Sequence, residues 1–514
     1  MAFLAAFPYG GPPGSVTLER TATPYAKEVL LEDQYQSESS SHSASAMRPV
    51  LVELNRLANR YGIGRTQVGV PLSVLTAALN EDPSGFLARS VAAYVRVRHA
   101  PYFGLQRCHM HYDCWPYSYG RVQYDPTRGV KGWPGFLARY SRAPGANDAS
   151  YRLGRDEELL GHYGRAVVAF NHGLSLPAGG TAYDLAVREV WVLDTEMTPE
   201  GLSRLYASLP KTQRILRLRV LYSLGVDLLR SGAYAQAQAT LTHVAHAIGS
   251  ASLAPAPGVG TWPFAAAVRV QAMQAGDLAR LTDEAKTART PAARAQIEYD
   301  IAAFMYHRTL LFYNQLWAGR EQSYFFQGYQ PPVATPAFVA YEERENNYVQ
   351  AADRFHALQA SWVPQAIRAR ALFSYGMSLY RLGGYGIDAS VLASPSALAA
   401  ATANAFGAYA RTYPDRALAP EALTLEAAFT RDRGLLNTLV KRYGTTPQGR
   451  DAATDLRQTP WPASDVMTVG LSVPSREIYQ DTPGVPKSIL MWADAKGPVV
   501  EARSLGPVVT DRDI

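Results

Sequence analysis

Three segments of this 514-residue chain share one spacing of glycine, tyrosine and a small residue, and this spacing constrains the fold most strongly. They read YRLGRDEELLGHYGRAVVAF, YSLGVDLLRSGAYAQAQATL and FSYGMSLYRLGGYGIDASVL, with the common order Gly-x6-Gly-x-Tyr-x2-small. The agreement predicts one structural unit that recurs along the chain. The shared positions are Gly154, Gly161 and Tyr163 in the first copy, Gly225, Gly232 and Tyr234 in the second, and Gly376, Gly383 and Tyr385 in the third.

The physical interpretation of this spacing is a helix–turn–helix unit. The first glycine lets one helix approach its partner closely, because it has no Cβ in the way. The second glycine ends that helix in a left-handed turn, which glycine adopts at low cost. The tyrosine then begins the second helix, and the small residue lies where the two helices cross. We therefore expect antiparallel helix pairs over 150–455, with Gly154, Gly225 and Gly376 at helix crossings.

The same spacing resembles the tetratricopeptide repeat, a helix hairpin of about 34 residues that stacks into an α-solenoid. Gly154 and Gly225 are 71 residues apart, about two such periods. Gly225 and Gly376 are 151 residues apart, so the resemblance implies degenerate or interrupted repeats between them. The segment SASLAPAPGVGTWP is the expected interruption, since its prolines and glycines disfavour a helix.

A second variety of repeat follows in AFGAYARTYPDRALAPEALTLEAAF and, more weakly, in LVKRYGTTPQGRDA. Each has an aromatic residue at the end of a helix, a turn with proline, and small residues at the next helix start. The weaker copy has Gly444 after Tyr443 where a proline is expected. The pattern is similar to the repeats of the outer-membrane-assembly lipoproteins and the Tol–Pal periplasmic coordinator, which implies an envelope assembly. The residues that carry the match are Tyr413, Pro414, Ala419, Pro420 and Ala422.

Composition divides the chain into four regions. Residues 1–46 are rich in Gly, Pro and Ser and predict an extended N-terminal arm. Residues 47–148 combine helical segments with an irregular Tyr- and Gly-rich stretch over roughly 100–146. Residues 149–456 are the predicted TPR-like α-solenoid, and residues 457–514 are a Pro-rich, β-branched extended tail. The predicted fold is therefore mainly α, with an irregular N-terminal region and an extended C-terminal tail.

The charge pattern argues against a nucleic-acid binder. Basic residues number 50 against 44 acidic ones, but they are scattered, whereas such binders concentrate charge on one face. No apolar run approaches the roughly 18–20 residues of a membrane span. No secretory signal is evident either, because MAFLAAFPYGGPPG has no basic residue before Arg20. The 31 tyrosines and two cysteines favour a bacterial envelope protein, in the periplasm or at the surface.

Both cysteines lie in one short stretch, QRCHMHYDCWPYSYG. Cys108 and Cys114, with His109 and His111 beside the first, offer soft and borderline metal ligands. The Cys-x5-Cys spacing is not the usual zinc spacing, in which cysteines come as Cys-x2–4-Cys pairs. A disulfide between Cys108 and Cys114 would close a small ring, worth roughly 2–3 kcal/mol in the loop-entropy model. We favour the disulfide over two reduced cysteines, and both over a metal site.

Four aromatic residues surround that stretch. Trp115, Tyr117, Tyr119 and Tyr124 could form a flat face for a sugar or a protein partner. The alternative is that these rings fill a small core in a region with few aliphatic residues, and we favour it.

Candidate catalytic residues are few. Asp156, Glu157 and Glu158 near His162 are expected on the solvated face of a repeat helix. FMYHRTLLFYNQLWAGR is expected to be one buried or interfacial helix, with His307 as a core histidine. The chain has no Gly-x-Ser-x-Gly, His-Glu-x-x-His or Gly-x4-Gly-Lys-Ser/Thr pattern. We therefore predict a protein that is not an enzyme and has no cofactor or resident metal.

The functional hypothesis is a structural or scaffolding protein of a cell-envelope or surface assembly. Its partners would be other proteins of a multi-subunit assembly, bound through the solenoid and the extended termini. Two alternatives stay open. One is a glycan or small-ligand module centred on 102–124, and the other is a metal-binding protein that uses Cys108, His109, His111 and Cys114.

Overall fold

The structure is a computed structural model that describes residues 86–99, 102–106, 121–143, 145–176, 182–249, 253, 264–308, 310–317, 336–383 and 392–457. These residues belong to two compact units, one up to Met197 and one from Thr198 onward. The predicted arm 1–46 and nearly all of the tail 457–514 lie outside the described residues.

The described residues of the N-terminal unit form five α-helices, one strand pair and one π-helix. Each of α2, α3 and α4 packs on the next helix in the chain. The core beneath the first helices is aromatic, with the rings of Tyr94, Trp133, Phe136 and Tyr140 in contact. The elements in chain order are α1 Phe86–His99, β1 Tyr102–Gln106, β2 Arg121–Tyr124, α2 Pro126–Tyr140, α3 Ala146–Leu159, α4 Tyr163–Ser175, α5 Ala182–Trp191 and the π-helix Val192–Glu196.

The strands and α2 correct the prediction of an irregular stretch over roughly 100–146. β1 and β2 pair antiparallel, with Tyr102 opposite Tyr124. α2 begins with a side-chain cap, because the carboxylate of Asp125 accepts a hydrogen bond from the backbone N–H of Thr127 at 3.0 Å. Pro126 occupies the first helical position, where its missing N–H costs nothing. Gly129, Gly132, Pro134 and Gly135 lie inside α2, so glycine and proline do not exclude a helix here.

The C-terminal unit has 12 α-helices and one 3-10 helix among its described residues. Packing is again mainly between consecutive helices, except that α10 packs on α12. The elements are α6 Pro199–Ser208, α7 Arg214–Arg230, α8 Tyr234–Ile248, α9 Phe264–Thr287, α10 Pro291–Tyr306, the 3-10 helix Gln315–Trp317, α11 Pro336–Glu345, α12 Asn347–Ala357, α13 Gln365–Gly383, α14 Pro395–Thr412, α15 Ala419–Thr430, α16 Arg433–Tyr443 and α17 Pro447–Asp455.

Four of these helices begin with the same local signal, a hydroxyl residue followed by proline. The hydroxyl oxygen accepts a hydrogen bond from a backbone N–H of the first turn, and the proline preorganises the first helical φ angle. The caps are Thr198, Thr290, Ser394 and Thr446. The mainly α fold of helix–turn–helix units is thus confirmed, and its helix starts follow from the sequence.

The prediction of one long helix over FMYHRTLLFYNQLWAGR is wrong. α10 ends at Tyr306, and the chain continues as a buried, mostly non-helical segment whose described part reaches Trp317. Side chains on α7 and α9 form hydrogen bonds with backbone groups of this segment. The amide of Gln271 donates to the carbonyls of Leu310, Leu311 and Tyr313, and the hydroxyl of Tyr222 accepts from the N–H of Gln315. These side chains provide the partners that a helix would have provided.

Candidate functional site

The first two repeat copies form helix crossings at the predicted glycines. A Cβ added at Gly154 on α3 would lie 2.3 Å from Cε1 of Phe170 on α4. A Cβ added at Gly225 on α7 would lie 2.7 Å from Cδ2 of Leu241 on α8. Real Cβ atoms do not approach other atoms this closely, so both positions need glycine. The crossings are confirmed for these two copies.

The turns of these copies also have the predicted geometry. Gly161 and Gly232 have φ angles of 73° and 82°, in the left-handed region. In the first turn, the N–H of Gly161 donates to the carbonyl of Glu158, and the N–H of His162 donates to that of Glu157. The second turn repeats this pair of hydrogen bonds, which defines a Schellman motif. Tyr163 and Tyr234 are the first residues of α4 and α8, as expected.

The third copy keeps the crossing, but the partner side chain lies farther along the chain than in the first two copies. A Cβ at Gly376 on α13 would lie 2.8 Å from Cε1 of Phe406 on α14. The repeat spacing would place this partner at Leu392, which is instead half-buried at the edge of the core. Gly383 is the last residue of α13, and Tyr385 lies outside the described residues.

The later repeats also have the expected form. α14 ends at Thr412, one residue before the buried Tyr413, and α15 begins at Ala419. Tyr443 at the end of α16 donates its hydroxyl proton to the carbonyl of Pro414 at 2.6 Å. The tyrosine at the end of α16 is therefore hydrogen-bonded to the turn that follows α14.

The acidic residues near His162 are not the solvated face that the sequence predicted. Asp156 is 0% exposed and Glu157 is 8% exposed. Glu157 lies 2.8 Å from Nδ1 of His162. Glu158 is half-buried and accepts hydrogen bonds from Arg155 at 2.5 Å and from Nε of Arg188 at 2.9 Å. These carboxylates face neighbouring helices, because α3 packs on both α2 and α4.

A second polar contact follows at the π-helix. Glu196 accepts a hydrogen bond from Nε1 of Trp191 at 3.0 Å. It also pairs with the hydroxyl of Tyr163, and burial, followed by the charge of Glu196, raises the pKa of that hydroxyl. The guanidinium of Arg188 stacks over the Trp191 ring, 5.3 Å from its centroid. π-Helices are rare and often lie at functional sites.

These contacts border the turn between α3 and α4, which presents a mixed surface. We call it the turn surface and define it as Arg155, Leu159, His162, Tyr163 and Arg165. Leu159 is 58% exposed, the highest exposure among the described large hydrophobic residues. A single exposed leucine is ordinary on a protein surface, and the other members of this surface are polar or aromatic.

Cys108, His109, His111, Cys114, Trp115, Tyr117 and Tyr119 lie outside the described residues, and Tyr124 is the last residue of β2. The disulfide, the metal site and the aromatic face stay predictions. Within the described ranges no group of three or more His, Cys, Asp or Glu side chains could hold a metal ion.

Sequence reasoning missed Arg188, Trp191 and Glu196. No local signal marks a π-helix in VWVLDTE. Arg188 and Glu196 also contact Glu158 and Tyr163, which lie on or beside the turn between α3 and α4. His307, expected in the core, is half-buried with its ring edge-on to Tyr306 at 5.1 Å. None of the described helices combines the length and the apolar character that a membrane span requires.

Comparison with known proteins identified no relative of this chain. The scan against protein-family models, the search of curated proteins and the search of solved structures each gave no match.

Proposed function

We propose that this protein is a non-enzymatic scaffold of the tetratricopeptide-repeat type that binds partner proteins. The observation that carries the proposal is the pair of glycine crossings, Gly154 with Phe170 and Gly225 with Leu241, each followed by a Schellman turn. Helix pairs that pack consecutively bury only part of their surface and leave the rest for partners.

The cellular setting is a second part of the proposal. We place the protein in a bacterial cell-envelope assembly, in the periplasm or at the surface. Support comes from the repeats around Tyr413 and Tyr443, which resemble those of envelope-assembly proteins. The termini 1–46 and 457–514 would add contacts to neighbouring subunits as extended segments.

The turn surface is the part of the N-terminal unit through which we expect a partner to bind. Leu159 supplies apolar area, and Tyr163 has its ring position set by Glu196. Arg165 is 71% exposed, and its long contact of 3.9 Å with Glu157 leaves it accessible to an acidic partner. A partner helix or extended segment with an apolar residue flanked by carboxylates fits this chemistry.

Crosslinking mass spectrometry in the native host tests the proposal. The wild-type chain should crosslink to other proteins, and Leu159→Ser should remove the crosslinks from the N-terminal unit without changing the circular dichroism spectrum. Ile215→Ser is the matched control, because Ile215 is also exposed but belongs to the C-terminal unit. Crosslinks confined to the chain itself would contradict the scaffold role. Retention of every partner by Leu159→Ser would contradict the turn surface.

A further inference from the structure

Arg308 is a buried cation in the C-terminal unit, directly after the end of α10. The residue is 5% exposed. Its Nη1 donates a hydrogen bond to the carbonyl oxygen of Phe304 at 3.2 Å. Its guanidinium carbon lies 3.5 Å from the centroid of the Phe304 ring. One face of the guanidinium is therefore covered by an aromatic ring, while an arginine can donate five hydrogen bonds.

The charge of Arg308 has no counter-ion among the described residues. The nearest acidic influence is Asp277 on α9, which forms its own ion pair with Arg280 at 3.6 Å. Burial lowers the pKa of Arg308 to about 10, with Asp277 acting in the opposite direction. By contrast, the buried carboxylate of Asp148 is paired with Arg152 at 2.7 Å. An uncompensated buried charge is costly, so this position favours an anionic partner.

A second buried polar side chain lies on the same side of α9. Gln274 is 6% exposed, and no hydrogen bond of its amide is found among the described residues. Gln274 lies one helical turn after Gln271 and one turn before Asp277. The amide of Gln271 donates hydrogen bonds to backbone carbonyls of the segment that follows Arg308. Residues three apart share a helix face, so Gln274 faces the segment that contains Arg308.

We propose that Arg308 and Gln274 form the polar end of a binding site for an oxyanion, either a carboxylate or a phosphate group of a ligand. The planar guanidinium edge and the amide N–H groups are the donors that such an anion requires. The Phe304 ring fixes the orientation of the guanidinium, and the anion neutralises its buried charge. This inference does not depend on the partner-binding role of the turn surface.

Thermal unfolding of the full chain tests this site, with sodium acetate and sodium phosphate as probes and sodium chloride added to hold ionic strength constant. At least one probe should raise the wild-type Tm in a saturable manner, because a ligand that binds the folded state stabilises it. A rise with acetate alone identifies a carboxylate site, and a rise with phosphate alone identifies a phosphate site.

Two variants separate binding from a structural role at the end of α10. Arg308→Met should weaken the apparent affinity at least about tenfold, since it removes charge-assisted hydrogen bonds. Without anion its Tm should equal or exceed that of the wild type, because replacing a buried charge with an apolar side chain is often neutral or stabilising. Arg280→Met, a change at an exposed arginine on α9, should keep the full response. A wild-type Tm that both probes leave unchanged, or a response that Arg308→Met retains, overturns the proposal.

Discussion

The first two repeat copies and the third differ in how far along the chain the side chain that fills the space beside the glycine lies. Gly154 and Gly225 each contact a side chain 16 residues later in the chain, Phe170 and Leu241. Gly376 contacts Phe406, which is 30 residues later. The glycine has the same function in all three copies, namely to allow close approach, but the chain segment between the glycine and its partner is about twice as long in the third copy.

Close approach at the glycine and the identity of its partner are therefore separate properties. A glycine on a buried helix face creates a groove whatever follows it. The large side chain that enters this groove is the one that the packing of later helices brings there. In the third copy, α14 packs along α13, so Phe406 takes the place that the spacing assigned to Leu392.

The largest effect should come from Gly154→Ala. The new Cβ would meet three atoms of the Phe170 ring at 2.3, 2.5 and 2.7 Å, and a packed ring cannot move aside easily. We expect a loss of roughly 1–3 kcal/mol in the free energy of unfolding, as for other overpacked sites. Urea denaturation measures it. Gly135→Ala is the control, because a Cβ there meets nothing within 4 Å and should raise stability slightly. Equal stability of the two variants would contradict the close contact between Gly154 and Phe170.

Gly376→Ala should cost somewhat less, since its closest contact is 2.8 Å. Second-site substitutions test which side chain contacts Gly376. Phe406→Leu in the Gly376→Ala background should recover part of the lost stability, because it shortens the side chain that clashes. Leu392→Ala in the same background should recover none. A double-mutant cycle from denaturation data measures the coupling, and coupling to Leu392 instead of Phe406 would show that the third copy packs like the first two.

Gly161→Ala and Gly232→Ala should each cost about 1 kcal/mol. A Cβ at either position has free space, but φ angles of 73° and 82° strain any residue with a side chain. The two losses should be similar because the two turns have the same hydrogen bonds. Thermal or urea unfolding measures them. Unchanged stability in both variants would show that these turns do not require glycine.

The smallest effect should come from Asp415→Asn in the later repeats. Its carboxylate accepts from Arg442 at 3.1 Å, yet Asp415 is 94% exposed. Exposed ion pairs are screened by water and salt, so we expect a loss below about 0.5 kcal/mol. Denaturation at low and high salt checks this expectation, and a loss above 1 kcal/mol would mean that the turn around Pro414 depends on this pair.

Much of the fold was predictable because its signals are local. Thr or Ser before Pro marks four helix starts, and glycine at Gly161 and Gly232 marks two turns. The candidate site was less predictable. Tyr163 was identified as a repeat position, but its pairing with Glu196 joins residues 33 positions apart through a π-helix that no residue pattern announces.

The helix starts, the glycine turns and the helix faces that come into close contact are encoded locally, because each depends on one residue or on a short spacing. Only the tertiary structure decided that Asp156 and Glu157 are buried, that the chain after Tyr306 leaves the helix, and that Phe406 meets Gly376. The physical reason is that burial and backbone satisfaction depend on groups from distant elements. Gln271 and Tyr222, for example, supply the hydrogen bonds that let an apolar segment be buried without being helical.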